Sequence, residues 1–193
     1  MKKVLTFFLL FYFTFVSAQT RMRDYIVQMP DSVMPLLTTV NRADCVDFVE
    51  AGMEAKVTNR LGGTSELLTL TDDYALWQYT TVSLVETKLL PLADSTLVVC
   101  MVRTVLQPVP DSDIAFFDRE WKPLPTSLFV TLPKPSAPLA TLQSSRLSLS
   151  PDAPTLKAEC RTESMEMRDV EAALVQSVEE IVFRWDEKEH FIR

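Results

Sequence analysis

The sequence predicts an α+β fold: mainly an antiparallel β-sheet laid out as a meander of hairpins, with an N-terminal helical segment packed on it and a short C-terminal helix plus hairpin. Three observations carry this. Apolar residues recur at helical spacing before position 55 and at every second position after it. Turn-forming residues then punctuate the chain at Gly62-Gly63, Asp72-Asp73 and Asp94-Ser95. Between the last two punctuations lie stretches rich in aromatic and β-branched residues, the composition that suits a pleated, half-buried surface.

Asp31 to Leu37 reads as a short helix, with an acid or hydroxyl cap and Pro35 in its first turn. Asn41 can cap a second helix, with Val40 and Cys45 at the positions of a hydrophobic staple and Cys45, Phe48, Val49 and Met53 on one face. That face should lie on a sheet. From Ala55 the alternation of Val57, Asn59 and Leu61 against Lys56, Thr58 and Arg60 opens a hairpin over 55–70, turned at the glycine pair. Tyr74–Tyr79 and Val82–Leu90 supply two further strands. Thr96–Leu106 is apolar on both faces until Arg103, the pattern of a central strand covered on each side.

Ile114–Asp118 and Leu128–Leu132 read as later strands. The Pro- and Ser-rich stretch 133–154 reads as an irregular crossover, and Thr155–Arg161 as a half-buried strand. A short helix is expected near 167–176, then a terminal hairpin over 179–192.

Met1, Lys2 and Lys3, the apolar run Val4–Val16 and the small residues Val16-Ser17-Ala18 form a secretory signal peptide over 1–18. At thirteen residues the run is too short for a membrane span. Residues 19–193 are then one domain, exported to the periplasm or the exterior, soluble, and without the N-terminal cysteine of a lipoprotein. Cleavage leaves 17 basic and 26 acidic side chains, a formal charge of -9. Scattered acids and no basic cluster argue against nucleic acid as a partner.

Three glycines cannot supply a dinucleotide or P-loop phosphate cradle, and a single histidine, His190, cannot build a multi-histidine metal site. As base to a Ser or Cys nucleophile His190 is disfavoured against a surface histidine, because it lies in a charged turn near the C-terminus where rigid alignment is hard. No cofactor and no metal are expected. The acid pairs Asp72-Asp73, Asp111 with Asp113, and Asp118 with Glu120 are better read as turn formers than as Ca²⁺ ligands, since no EF-hand spacing occurs. Cys45, Cys100 and Cys160 sit in apolar patterns. Cys100 and Cys160 are the candidate disulfide if their strands are neighbours, which requires Cα atoms within about 7 Å.

Trp77 and Tyr79 share one strand face, opposite Leu76. If Leu76 is the buried one, these two aromatics form an exposed ligand platform. The expectation for function is a non-enzymatic module that binds a protein, peptide or glycan through a sheet face. The rival is a small carboxylate-based hydrolase acting on cell-wall or other polysaccharide.

The runs Asn41–Phe48, Asn59–Ser65, Leu70–Tyr74 and Asp111–Trp121, with Phe183-Arg184-Trp185 near the end, resemble an uncharacterised family of secreted Bacteroidales proteins, a domain of unknown function. The resemblance spans about 31–125 and implies no activity. At fold level the short hairpins also look like small periplasmic sheet modules of the β-lactamase inhibitor protein kind.

Overall fold

The computed structural model describes residues 21–132, 140–168 and 171–193. The expected signal peptide, 1–18, lies outside the described residues. Two helices, α1 (Met22–Gln28) and α2 (Thr39–Glu50), precede seven strands in one sheet: β1 (Lys56–Thr58), β2 (Thr64–Leu70), β3 (Tyr74–Thr80), β4 (Ser83–Pro91), β5 (Leu97–Val105), β6 (Asp111–Phe117) and β7 (Pro123–Leu124). A second sheet holds β8 (Ala140–Leu149), β9 (Thr155–Arg168), β10 (Glu171–Asp186) and β11 (His190–Ile192). All pairings are antiparallel, and strand order in the first sheet follows the chain from β1 to β7.

The molecule is layered as helices, seven-stranded sheet, four-stranded sheet, with an apolar core in each gap. Between helices and first sheet lie Met22, Ile26, Met34, Leu37, Cys45 and Val46, facing Leu67, Trp77, Val85, Leu89, Val99 and Met101. The opposite face of the same strands presents Leu90, Val98, Cys100, Val102 and Phe116 to Leu147, Leu156, Ile181 and Phe183 of the second sheet. Because side chains alternate across a strand, β5 feeds both cores, as its run of apolar residues requires. Its pairing with β4 is regular from Ser83↔Val105 to Pro91↔Leu97.

The N-terminal helices follow rules partly different from those the spacing suggested. Helix α2 starts at Thr39 because Thr38 is its cap: the Asn41 N–H donates to the Thr38 hydroxyl (3.1 Å) and the Thr38 N–H to the Asn41 side chain (3.2 Å). Val40 is 67% exposed and Met53 59%, so neither the staple nor the outer end of the expected apolar face forms. Asp31–Leu37 is a string of turns, not a helix, closed by Val33 N–H to Pro30 O (3.0 Å) and Leu37 N–H to Met34 O (3.1 Å). Pro30 and Pro35 lack the N–H groups that a continuous helix would use. The first helix lies earlier, in the polar entry segment.

Arg42 of α2 is fully buried and acts as the clasp of this segment. Its guanidinium donates to the carbonyls of Ile26 (3.3 Å), Leu37 (2.6 Å) and Met29, and to the Asp31 carboxylate (3.2 Å). Burial pushes its pKa down and Asp31 opposes that shift. The fork of donors serves the Met29 and Leu37 carbonyls and adds a second donor to Ile26 O, which also accepts the Met29 N–H.

Three expectations for the C-terminal third are corrected. In place of a helix near 167–176, β9 and β10 form a long hairpin, registered from Glu171↔Arg168 to Arg184↔Thr155. Within the supposed irregular stretch 133–154, residues 140–149 form β8. Leu128–Leu132 is not a strand: a 3₁₀ turn over Thr126–Leu128 leads through a turn at Phe129 into chain without regular structure. The terminal hairpin stands, as Trp185↔Phe191.

The outer edge of β8 is closed by side chains of the first sheet. The N–H groups of Ser145, Leu147 and Leu149 donate to Asp111 (3.0 Å), the Ser112 hydroxyl (2.9 Å) and Glu86 (3.3 Å). These bonds dock one sheet on the other with the edge donors satisfied.

Candidate functional site

An antiparallel meander sends every second connection to the same end of its sheet, so the β2–β3, β4–β5 and β6–β7 loops converge. The N-terminus of α1 joins them, its Met22 N–H donating to Asp72 O (2.7 Å). Each loop is set by a local device. Asp94 accepts the Thr96 hydroxyl (2.6 Å) and N–H (3.0 Å), which holds its carboxyl below the usual range and places Ser95 at φ 65°. Asp118 accepts the N–H groups of Glu120 and Lys122 (both 2.9 Å), turning the chain so that Trp121 stands at φ 62°. Positive φ is uncommon for a residue with a side chain and concentrates at sites where the surroundings over-determine the backbone.

Two indole groups clamp this end. Trp121 Nε1–H donates to Tyr25 O (3.0 Å), fixing α1, and Trp185 Nε1–H donates to Pro91 O (2.7 Å), fixing the end of β4. The β10–β11 turn adds Glu187 O as acceptor for the Ala93 N–H (3.2 Å).

Two adjoining clefts open between the loops. One, of about 480 Å³, is lined by Tyr25, Leu92, Leu97, Val98, Arg119 and Leu124 among others. The second, of about 440 Å³, is lined by Arg21, Asp72, Asp73, Leu89, Pro91 and Leu97. They share Ser95 and Leu97, so together they make a groove with an aliphatic floor and charged rims. Arg21 faces Asp72 across 3.5 Å, and four acids (Asp72, Asp73, Asp118, Glu120) stand against two arginines (Arg21, Arg119).

Behind the groove the inter-sheet gap holds a polar constellation. Lys88, with a side chain only 3% exposed, pairs with Asp73 (2.9 Å) and donates to Pro151 O (2.9 Å). Beside it the Tyr74 hydroxyl donates to Glu86 (2.9 Å), which also accepts the Leu149 N–H. Burial raises the Glu86 carboxyl above its ordinary value, with Tyr74 and Leu149 pulling the other way; burial, then the Glu86 charge, raises Tyr74. Glu86 lines neither of the two clefts. Among the described residues no group of three or more His, Cys, Asp or Glu converges as a metal site.

The expected ligand platform is not exposed. Trp77 is fully buried under the helices, its Nε1–H without a hydrogen-bond partner, and Tyr79 packs against the same core while its hydroxyl accepts the Leu36 N–H (2.7 Å). The reason is that both faces of β3 are covered: Leu76 packs toward the second sheet, so its burial does not expose the other side. Cys45, Cys100 and Cys160 are all free thiols. Cys100 on β5 and Cys160 on β9 border the same core from different sheets, and neither is bridged in this structure. Burial pushes Cys45 up to about 11 and Cys100 well above its ordinary value.

His190 sits at φ 65° with Nδ1 2.7 Å from Leu128 O, against the rings of Phe129 and Trp185. Of the acid pairs, Asp111 caps β8, Asp113 pairs with Arg103 (2.7 Å), and Asp118 shapes its turn. Sequence reasoning missed Glu86 and Lys88, which sit in an alternating strand that reads as half exposed. It also missed the groove, whose residues come from four separate segments.

No curated protein matches the chain. A solved structure, that of a domain of an uncharacterized protein from Porphyromonas gingivalis W83, is similar: 27% sequence identity, TM-score 0.68, covering 88% of this chain and 97% of that one. Residues 14–191 match the family described as "Protein of unknown function (DUF3256)", so the chain belongs to that family.

Proposed function

We propose that the chain is a non-enzymatic interaction module, exported to the periplasm or the exterior, that binds an extended polypeptide segment in the groove at the loop end of the seven-stranded sheet. The observation that carries this reading is the pair of adjoining clefts, about 480 and 440 Å³, with an aliphatic floor shared at Leu97. Ligand sites are usually such concavities, apolar with a few polar groups placed for orientation. The acid-rich rim and the formal charge of -9 over residues 19–193 (17 basic against 26 acidic side chains) favour a segment with apolar side chains next to Lys or Arg.

A glycan is the weaker ligand. Sugar recognition commonly uses an exposed aromatic face, and among the described residues the large apolar side chains that are exposed are all aliphatic or Met. The hydrolase reading needs two carboxylates converging in a cleft with one held neutral. Glu86, whose carboxyl is raised, is enclosed between sheets and away from both clefts.

Selection of random peptides by display against the purified protein tests the reading. The enriched peptides should pair apolar with basic residues, and Thr96→Arg, which fills the groove mouth from an exposed position, should weaken their binding about tenfold or more, or about 1.4 kcal/mol. Peptides that bind the variant equally well would refute the groove as the site. Export is tested separately: mass spectrometry of the native protein should find a chain starting at Gln19, and recovery of Met1 would reject it.

A further inference from the structure

Among the described residues the second sheet leaves one long edge open. On the side of β10 away from β9, the strand that pairs with it among the described residues is β11, against Arg184–Asp186 alone. Among the described residues positions 171–183 have no strand beside them there, a length of roughly 40 Å at the usual rise of a strand. An unpaired row of N–H and C=O groups is a template for another strand, and proteins blunt such edges with Pro, Lys, bulges, short length or a cover.

The other edges of this molecule are blunted. β1 and β7 are three and two residues long, carrying Lys56 and Pro123, and the N–H groups of Ser145, Leu147 and Leu149 on β8 are taken by first-sheet side chains. β10 differs in its length, in lacking Pro and Lys and in its unbroken register, and the charges on its open stretch are Glu171, Glu179 and Glu180. Residues 171–183 contain no Pro, Lys, Arg or Gly, and the pairing with β9 runs from Glu171 to Arg184 without a register shift.

We propose that this edge is a dimer interface, occupied by β10 of a second copy running antiparallel, so that the two four-stranded sheets join into one. The charge pattern selects the partner and the register. With the two-fold axis at Val178, that residue faces its own copy, Val182 stands opposite position 174, Glu179 opposite Ser177 and Glu180 opposite Gln176. No acid then faces an acid, whereas a register centred on 179–180 would oppose them at a cost in stability. The outward face gains the contact it lacks: Val178 is 58% exposed and Val182 47%. Glu179 is already neutralised by Arg193 (3.1 Å). Such a pairing is isologous and closed, so it removes the edge without seeding a filament.

Sedimentation equilibrium of the purified protein over a range of concentrations is the test. The wild type should fit a monomer–dimer equilibrium, and Val178→Lys, which sets two cations face to face, should weaken dimerisation about tenfold or more, while circular dichroism, and the melting temperature at a concentration where the wild type is monomeric, stay unchanged. Val178→Cys should give a disulfide-linked dimer under mild oxidation that the wild type does not form. A protein monomeric at every concentration, or a dimer that Val178→Lys leaves intact, overturns the proposal.

Discussion

At Glu86 a carboxylate is held between two sheets with the Tyr74 hydroxyl and the Leu149 N–H as its donors. Its folded pKa is raised, so the native state binds this proton more tightly than the unfolded chain. The stability it contributes is therefore present below the ordinary carboxylate range and is lost as pH rises through the folded value. Glu86→Gln keeps the shape and removes the charge, so the variant should gain on the wild type as pH goes from acid to neutral, read from denaturant midpoints at each pH. A constant difference would mean that Glu86 does not titrate in that window. Arg42 makes the opposite case, a buried charge fully engaged. Arg42→Met leaves the carbonyls of Met29 and Leu37 without that donor, at roughly 1–3 kcal/mol each, while Ile26 O keeps the Met29 N–H, so a loss of at least about 2 kcal/mol is expected in urea unfolding. Trp77→Ala empties the largest fully buried site and should cost roughly 3–5 kcal/mol.

Elements were legible in the sequence where a local pattern and a local turn agree. The strands over 56–105 follow from alternation, glycine and Asp turns, and an unbroken apolar run at β5. The long β9–β10 hairpin was not legible, because residues 165–176 are rich in Met, Glu and Ala, whose intrinsic preference is helical, and cross-strand pairing at the hairpin tip, from Glu171↔Arg168 to Gln176↔Glu163, overrides it. β8 was hidden for a similar reason: its sequence, Ala-Thr-Leu-Gln-Ser-Ser-Arg-Leu-Ser-Leu, looks like a linker until Asp111, Ser112 and Glu86 receive its N–H groups. The docking can be weighed at this scale. Asp111→Ala should cost about 1 kcal/mol of stability by removing the acceptor for Ser145, and an unchanged denaturant midpoint would show that β8 docks through Leu147 and Leu149 alone.

Across the whole molecule, one sheet serves two cores, and that sharing explains both the buried Trp77 and the position of the candidate site. With helices on one face and a sheet on the other, the faces of the meander are closed and the loop end presents a concave surface. No helix among the described residues is long and apolar enough to cross a membrane. None of the groove was readable from spacing, since Arg21, Asp72, Ser95 and Arg119 meet only through the alternation of connections between the two ends of the sheet. Backbone amide shifts in NMR, recorded as a selected apolar-basic peptide is added, test this account most directly. It predicts that the largest changes fall on residues 72–73, 95–98 and 118–120 together. Changes confined to the outer face of the second sheet, or to the helices, would contradict it.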